Sequence, residues 1–328
     1  MTSSPDEVTR VAVASRSFSR HQQLRAELIS RYSRVTFNDA GESLAGERLA
    51  DFLRGHERAI IALETVDEWL LAQLPELRVI SKYGVGLDNL DLTALSRHGV
   101  RLGWRAGVNS RSVAELVIAT TLILLRHLRQ ANEEVREGQW RQHLGTELRG
   151  HVVGVVGLGS VGREVARLFQ AFDCEVLSHD ILEMNEYCSA HGIIECGLEE
   201  LLDRADIVTL HIPLDRSTKR MFNARTLGLM KPGVVLINAA RGGIVDEDAV
   251  QAMLESRRIS AAAFDVFATE PPQCRQLLQL PNFFATPHLG GSSLEAVLAM
   301  GRAAIEGLDG AVDAESFAAE RSAAAAKV

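Results

Sequence analysis

One stretch, His151-Val-Val-Gly-Val-Val-Gly-Leu-Gly-Ser-Val-Gly-Arg-Glu-Val-Ala-Arg-Leu-Phe169, limits what this chain can become more than any other. Its apolar run reads as a buried strand. Glycines at 157, 159 and 162 make a turn, and Val161, Val165, Leu168 and Phe172 recur at helical spacing beyond it. Strand, glycine turn and helix in that order suit a pyrophosphate. Gly157 permits the tight turn, Gly159 lets the backbone approach phosphates, and Gly162 lets the helix pack closely on the strand. The amides of Ser160 and Val161, at a helix N-terminus with its partial positive charge, are the donors such an anion needs. The next strand, over 174–179, is followed by Asp180, 23 residues past the first glycine and near the ~20 at which a carboxylate bonds ribose hydroxyls. A carboxylate there repels the extra phosphate of NADP, and Ile181 and Leu182 follow in place of an arginine, so the pattern points to NAD.

The rest of the chain repeats strand and helix. Strands are predicted at 8–14, 35–37, 59–63, 77–82 and 100–104, with helices at 21–31, 46–54, 67–74 and 90–98 between them. Leu24, Leu28 and Ile29 share a face of the first helix. From 151 onward, further strands are predicted at 207–211, 234–238, 261–266 and 283–285, with helices near 198–203, 225–230, 246–255 and 274–278. Such alternation means parallel sheets covered on both faces. Between the two runs, Asn109 or Ser110 can cap a long helix reaching about residue 137. A last helix, over about 293–308, is expected to return to the first run, and the Ala-rich stretch 318–328 reads as a frayed tail. The fold class is α/β, with two Rossmann-like or flavodoxin-like parallel-sheet domains, the number that 328 residues suggest.

Composition narrows the partners. A net charge of −8 argues against nucleic acid and anionic membrane, so an anionic ligand must be held by a few local cations. The apolar run within 116–125 is well short of the ~20 residues that span a bilayer. No secretion signal is visible at the N-terminus, and Cys174, Cys188, Cys196 and Cys274 form no CxxC pair, which suits a reducing cytoplasm. The histidines show no HxH or HExxH spacing, so no metal is expected.

Ligands of open α/β sheets bind outside the carboxyl ends of the strands. Three successive strand ends of the second run carry polar groups: Arg241 in one, Asp265 and Glu270 in the next, His288 in the last. Together they suit hydride transfer to a 2-oxo acid, whose carbonyl oxygen gains charge and a proton while its carboxylate must be held. Arg241 can fork onto the carboxylate, His288 can act as acid or, in reverse, as base, and Glu270 can orient the imidazole and favour its protonated form. Asp265 is placed to bond the nicotinamide carboxamide. In the first run, the glycine-rich connection at 83–89 can offer bare N–H groups to a carboxylate.

These motifs jointly resemble the D-2-hydroxyacid dehydrogenase family over about 77–291, through the loop at 82–89, Asn109-Ser-Arg-Ser-Val-Ala-Glu115, the glycine turn, His211-Ile-Pro213, Asn238-Ala-Ala-Arg-Gly-Gly243, Glu270 and His288. Asn109-Ser-Arg-Ser-Val-Ala-Glu115 is most similar to the phosphoglycerate dehydrogenase-like branch. The resemblance implies an NAD domain, 105–289, inserted into a split substrate domain, 1–104 and 290–328, with a cleft closing between them and a homodimer. It implies a small anionic 2-hydroxy or 2-oxo acid as substrate, possible members including a phosphorylated one such as 3-phosphoglycerate. Arg241, Glu270 and His288 are catalytic by that resemblance, and Lys82, Val85, Gly86 and Asn109 join Arg241 and His288 in contacting substrate. Gly157, Gly159, Ser160, Val161, Gly162, Asp180, His211, Pro213, Ala239, Ala240, Arg241, Asp265, His288, Gly290 and Gly291 line the cofactor. The regulatory domain of longer members, with feedback by an amino acid, is not expected.

Two places depart from the family's pattern. Trp104-Arg105-Ala106-Gly107 stands where many members have a small residue and a proline, and Glu64 stands where a neutral residue is frequent. Arg105 with Lys82 can add positive charge at the substrate mouth and select a second anionic group, or both can be surface residues flanking a domain crossover. Two other readings use the same Arg, Glu and His: a phosphite or phosphonate dehydrogenase, and a scaffold like the C-terminal-binding corepressors, which use NAD to stabilise an assembly.

Overall fold

Short apolar runs between capped helices build two parallel sheets in the computed structural model, which describes residues 9–317. The predicted strand's first residue, Val8, and the predicted tail at 318–328 lie outside the described residues. The first sheet holds β1 (Arg10–Val13), β2 (Arg34–Phe37), β3 (Arg58–Ile61), β4 (Val79–Lys82) and β5 (Arg101–Gly103) in the order β2-β1-β3-β4-β5. All its pairs are parallel, and every residue of β4 is buried, as a strand covered on both faces requires. The second sheet holds β6 (Val152–Val156), β7 (Glu175–His179), β8 (Ile194–Glu195), β9 (Ile207–Leu210), β10 (Val234–Asn238), β11 (Ile259–Phe264) and β12 (Phe283–Ala285), in the order β12-β11-β10-β9-β6-β7-β8. The chain divides into two compact units, one running up to Asn109 and resuming at Leu294, the other being Ser110–Ser293. No helix of the described residues is long and apolar enough to cross a membrane.

Helix starts follow side-chain caps. Asp67, Asp91 and Asp246 each accept a bond from a backbone N–H three residues on, so the helices after them open at Glu68, Leu92 and Glu247. The predicted helix over 21–31 is observed as Gln22–Ile29, and a further short helix, Arg16–Arg20, precedes it; extended His21 separates the two and its ring caps the second. Leu24 and Leu28 are buried but Ile29 is 53% exposed, since one more residue rotates it off their face.

The long helix predicted up to about residue 137 also breaks, into Ser110–Leu125 and Leu128–Arg136. His127 takes a left-handed φ of 52°, and the Leu125 carbonyl accepts from Thr146 instead of from the next helical turn. The helix Ser160–Ala171 buries Val165, Ala166 and Phe169, whereas Phe172 is its C-cap and half-exposed, so the apolar stripe runs one turn short of its predicted end. The helix Asn185–His191 and the two-residue edge strand β8 carry too weak a period to be read from sequence.

The helix Leu294–Gly307 belongs to the first unit and lies against β4 and β5. Ser81 Oγ donates to the Ala304 carbonyl at 2.6 Å, and a Cβ added to Gly103 would fall 2.2 Å from the Gly307 carbonyl oxygen. Small residues here let helix and sheet touch.

Candidate active site

In the second unit the chain winds outward from β6 to β8 and then returns to build β9 to β12 on the other side, so the strand order reverses between β6 and β9. The crevice outside the carboxyl ends at such a point receives ligands. Gly157 sits there with φ 93°, and a Cβ on it would lie 2.6 Å from the His211 carbonyl oxygen. A Cβ on Gly162 would lie 2.0 Å from the Gly157 carbonyl oxygen. A Cβ on Gly159 would meet nothing within 4 Å among the described residues, so the backbone there faces open space. Gly159 caps the helix Ser160–Ala171 without a side-chain bond, which leaves the first-turn amides of Ser160 and Val161 to a ligand. Asp180 accepts from Leu158 N at 2.6 Å and from Leu182 N at 2.9 Å. It therefore ties the glycine turn to the end of β7 and keeps lone pairs for ribose hydroxyls. This donor and acceptor set fits a dinucleotide.

β10, β11 and β12 are neighbours, and their carboxyl ends carry Arg241, Glu270 and His288. Asn238, the buried last residue of β10, shapes the first loop: its Oδ1 accepts from Ala240 N at 3.2 Å and its Nδ2 donates to the Arg241 carbonyl at 3.0 Å. Arg241 Nη1 donates to the Ala240 carbonyl at 2.7 Å. A Cβ on Gly242 would sit 1.9 Å from the Phe267 carbonyl oxygen, so the first loop lies directly on the second. Glu270 Oε1 accepts from Phe267 N at 3.1 Å, and Glu247 Oε1 accepts from Ala268 N at 2.7 Å. Glu270 Oε2 lies 2.9 Å from His288 Nδ1. This bond makes Nδ1 the donor and turns Nε2 outward.

Asp265, only 4% exposed, holds the third loop. Its Oδ1 accepts from the Thr286 hydroxyl and Leu289 N, both at 2.6 Å, and its Oδ2 accepts from Gly290 N at 2.8 Å. One lone-pair direction on Oδ2 remains for a further donor. His288 has φ 55°, a strained conformation for a non-glycine residue that these bonds on both sides sustain. Asn238 and Gly242 were visible in the sequence only as members of the motif 238–243, and Glu247 and Thr286 carried no local signal of the contacts they make.

In the first unit, Lys82 is buried and its ammonium donates to Asn89 Oδ1 at 2.6 Å and to the Ala62 carbonyl. Lys82 thereby ties the end of β4 to the segment after β3, where Glu64 Oε2 accepts from Ala62 N at 2.6 Å and closes a local turn. Val85 and Gly86 are half-buried, and Asn109 Oδ1 is buried with no partner among the described residues. Arg105 pairs with Glu306 at 2.8 Å on the surface. A cavity of about 500 Å³ opens at the other end of the second sheet, lined by His151, Asp206, Lys231 and Ser260 near the amino ends of their strands. Ligands of open α/β sheets bind outside the carboxyl ends of the strands, the opposite end from this cavity.

His211, after β9, has its Nδ1 buried without a partner among the described residues, while Nε2 lies 2.8 Å from Thr209 Oγ1. Burial pushes this imidazole down to about 3. Between pH ~6.5 and ~3 the unfolded chain then binds a proton that the folded one refuses, so stability falls with pH by about 1.4 kcal/mol per unit. His211→Gln should lose less melting temperature than the parent between pH 7 and pH 5. An identical acid loss would show that the ring carries no such penalty.

The family model described as D-isomer specific 2-hydroxyacid dehydrogenase, NAD binding domain, matches residues 118–290. The D-3-phosphoglycerate dehydrogenase of Bacillus subtilis is 40% identical over 235 residues, 71% of this chain and 45% of that protein. This chain spans about half the length of the curated relatives it matches. A solved structure described as the pyruvate reductase of Chlamydomonas reinhardtii is 31% identical with a TM-score of 0.79, covering 93% of this chain and 96% of that one. A glyoxylate reductase from Paecilomyes thermophila superposes with a TM-score of 0.82 at 25% identity, covering 91% and 94%. This chain belongs to the D-isomer specific 2-hydroxyacid dehydrogenase family, and its segment 118–290 is that family's NAD-binding domain.

Proposed function

We propose that this chain interconverts a small 2-oxo acid and its 2-hydroxy acid with NAD as cofactor, the unit Ser110–Ser293 serving as cofactor domain and the other unit as substrate domain. The 2.9 Å pairing of His288 Nδ1 with Glu270, on a strand end beside that of Arg241, carries this reading. The glycine turn and Asp180 would hold the dinucleotide, which when bound would supply a hydride to the carbonyl carbon. Arg241 holds the substrate carboxylate and draws charge toward the carbonyl oxygen. His288 Nε2 gives that oxygen its proton and becomes neutral, and Glu270 holds the ring in the tautomer that permits this. In oxidation the neutral Nε2 takes the hydroxyl proton. Asp265 offers its remaining lone pair to the nicotinamide carboxamide. Gly157, Gly159, Ser160, Val161, Gly162, Asp180, His211, Pro213, Ala239, Ala240, Gly290 and Gly291 are assigned to the cofactor, and Lys82, Val85, Gly86 and Asn109 to the substrate.

We further propose a phosphorylated three-carbon acid as the substrate, supported by the 40% identical relative named D-3-phosphoglycerate dehydrogenase. Arg105 could serve the phosphate at little cost, because its ion pair with Glu306 joins side chains 61% and 46% exposed, and such pairs hold weakly. NADH oxidation with glyoxylate, pyruvate, hydroxypyruvate, 3-phosphohydroxypyruvate and phosphonopyruvate tests both levels. Turnover should favour the phosphorylated acid and fall by about 10²–10⁴-fold in His288→Ala. Equal preference for the unphosphorylated acids would remove the phosphate assignment; His288→Ala with parental kcat would remove the mechanism.

We propose a homodimer as well. The segment 137–147 leaves Trp140 87% and Leu144 96% exposed beside the cavity that Leu124, Leu125 and Leu144 line. Apolar surface of this kind is what a second copy covers. Light scattering should give twice the chain mass for the parent and a lower mass for Trp140→Asp; a monomeric parent at micromolar concentration would refute the dimer.

A further inference from the structure

The loop after β4 is anchored at both ends and nearly bare between them. Tyr83 N donates to the Ile61 carbonyl at 2.7 Å and its ring meets the Phe18 ring edge-on at 5.5 Å, while Leu87 is buried in the core. Between these anchors lie Gly84, with φ 131°, Val85 and Gly86. Among the described residues, the amides of Gly84, Val85 and Gly86 make no hydrogen bond. The span's carbonyls receive a single one: Trp104 Nε1 donates to the Val85 carbonyl at 3.0 Å.

That bond controls more than a carbonyl. The Val85 C=O and the Gly86 N–H belong to one rigid, trans peptide and point in opposite directions, so a donor that fixes the first fixes the aim of the second. Withdrawal of charge at the oxygen also strengthens the N–H as a donor. The indole is itself held. Trp104 follows β5 directly, its ring packs edge-on against Phe317 at 5.3 Å, and the preceding Leu102 exchanges backbone bonds with Val312 at 2.8 and 3.1 Å. A smaller side chain at 104 has no N–H that reaches Val85.

We propose that Trp104 is a positioning residue that aims and polarises the Gly86 amide for the substrate carboxylate. The inference rests on the function proposed above, in which that amide is a substrate contact. It makes the last described segment of the chain, through Phe317, a determinant of substrate affinity.

Trp104→Phe keeps an aromatic ring against Phe317 and deletes the donor. The loss of one hydrogen bond should raise KM for the preferred 2-oxo acid about 3- to 10-fold. Ground state and transition state lose the aimed amide alike, so kcat should stay within about two-fold, with NADH affinity and melting temperature at parental values. Phe317→Leu, which retains the donor but loosens the ring, should raise KM in the same sense by less. The affinity of oxamate for the NADH complex, read by NADH fluorescence, should weaken by the same factor as KM without any turnover. Parental KM and oxamate affinity in both variants would overturn the inference, as would a fall in melting temperature and kcat with KM unchanged. A parent enzyme that binds NADH but neither turns over any 2-oxo acid nor binds oxamate would instead refute the function on which the inference rests.

Discussion

The buried carboxylate of Asp265 is the interaction on which the candidate site depends. A charge 4% exposed must be compensated, and among the described residues the compensation comes from the loop that carries His288: one hydroxyl and two backbone amides. The cost of burying the charge is thereby converted into a fixed shape for the segment 286–290. His288 accepts a left-handed backbone within that shape, which places Nδ1 against Glu270. Glu270 is fixed in turn by Phe267 N, and the Phe267 carbonyl lies where Gly242 leaves room for it. Three loops thus brace one another in sequence from β10 to β12.

The other end of the crevice is built on the same principle with glycine in place of charge. Gly157 and Gly162 are required by backbone atoms that any side chain would strike, whereas Gly159 meets nothing among the described residues that requires it. Its open side is what a bound phosphate would need. Asp180 links this turn to the neighbouring strand, so one carboxylate both sets the turn and faces outward.

How much of this could be read from sequence follows from the range of each interaction. β10 and β12 match their predicted spans because short apolar runs with polar ends are local signals. The break at His127 escaped because its cause, the docking of Thr146 on Leu125, lies about twenty residues away. The apolar stripe after the glycine turn was misplaced at Phe172 because periodicity does not say where a helix stops. Residue types at strand ends singled out Arg241, Glu270 and His288, but the partners of Asp265 and the bond from Trp104 to Val85 join segments distant in sequence. Cations tell the same story: Lys82 and Arg105 are visible as charges, while Asn89 and Glu306, which engage them, are visible only in the fold.

Asp265→Asn tests the central claim most directly. An amide keeps the size of the carboxylate but replaces one acceptor by a donor, and in either orientation an N–H₂ group then faces the backbone N–H of Leu289 or Gly290. Such a conflict costs about 1–3 kcal/mol, enough to displace the His288 loop. Steady-state reduction of the preferred 2-oxo acid should show kcat lowered about 10- to 100-fold, with the variant still folded and still saturable by NADH. A variant with parental kcat would mean that the Asp265 lock does not position His288 and that the account of the site is wrong.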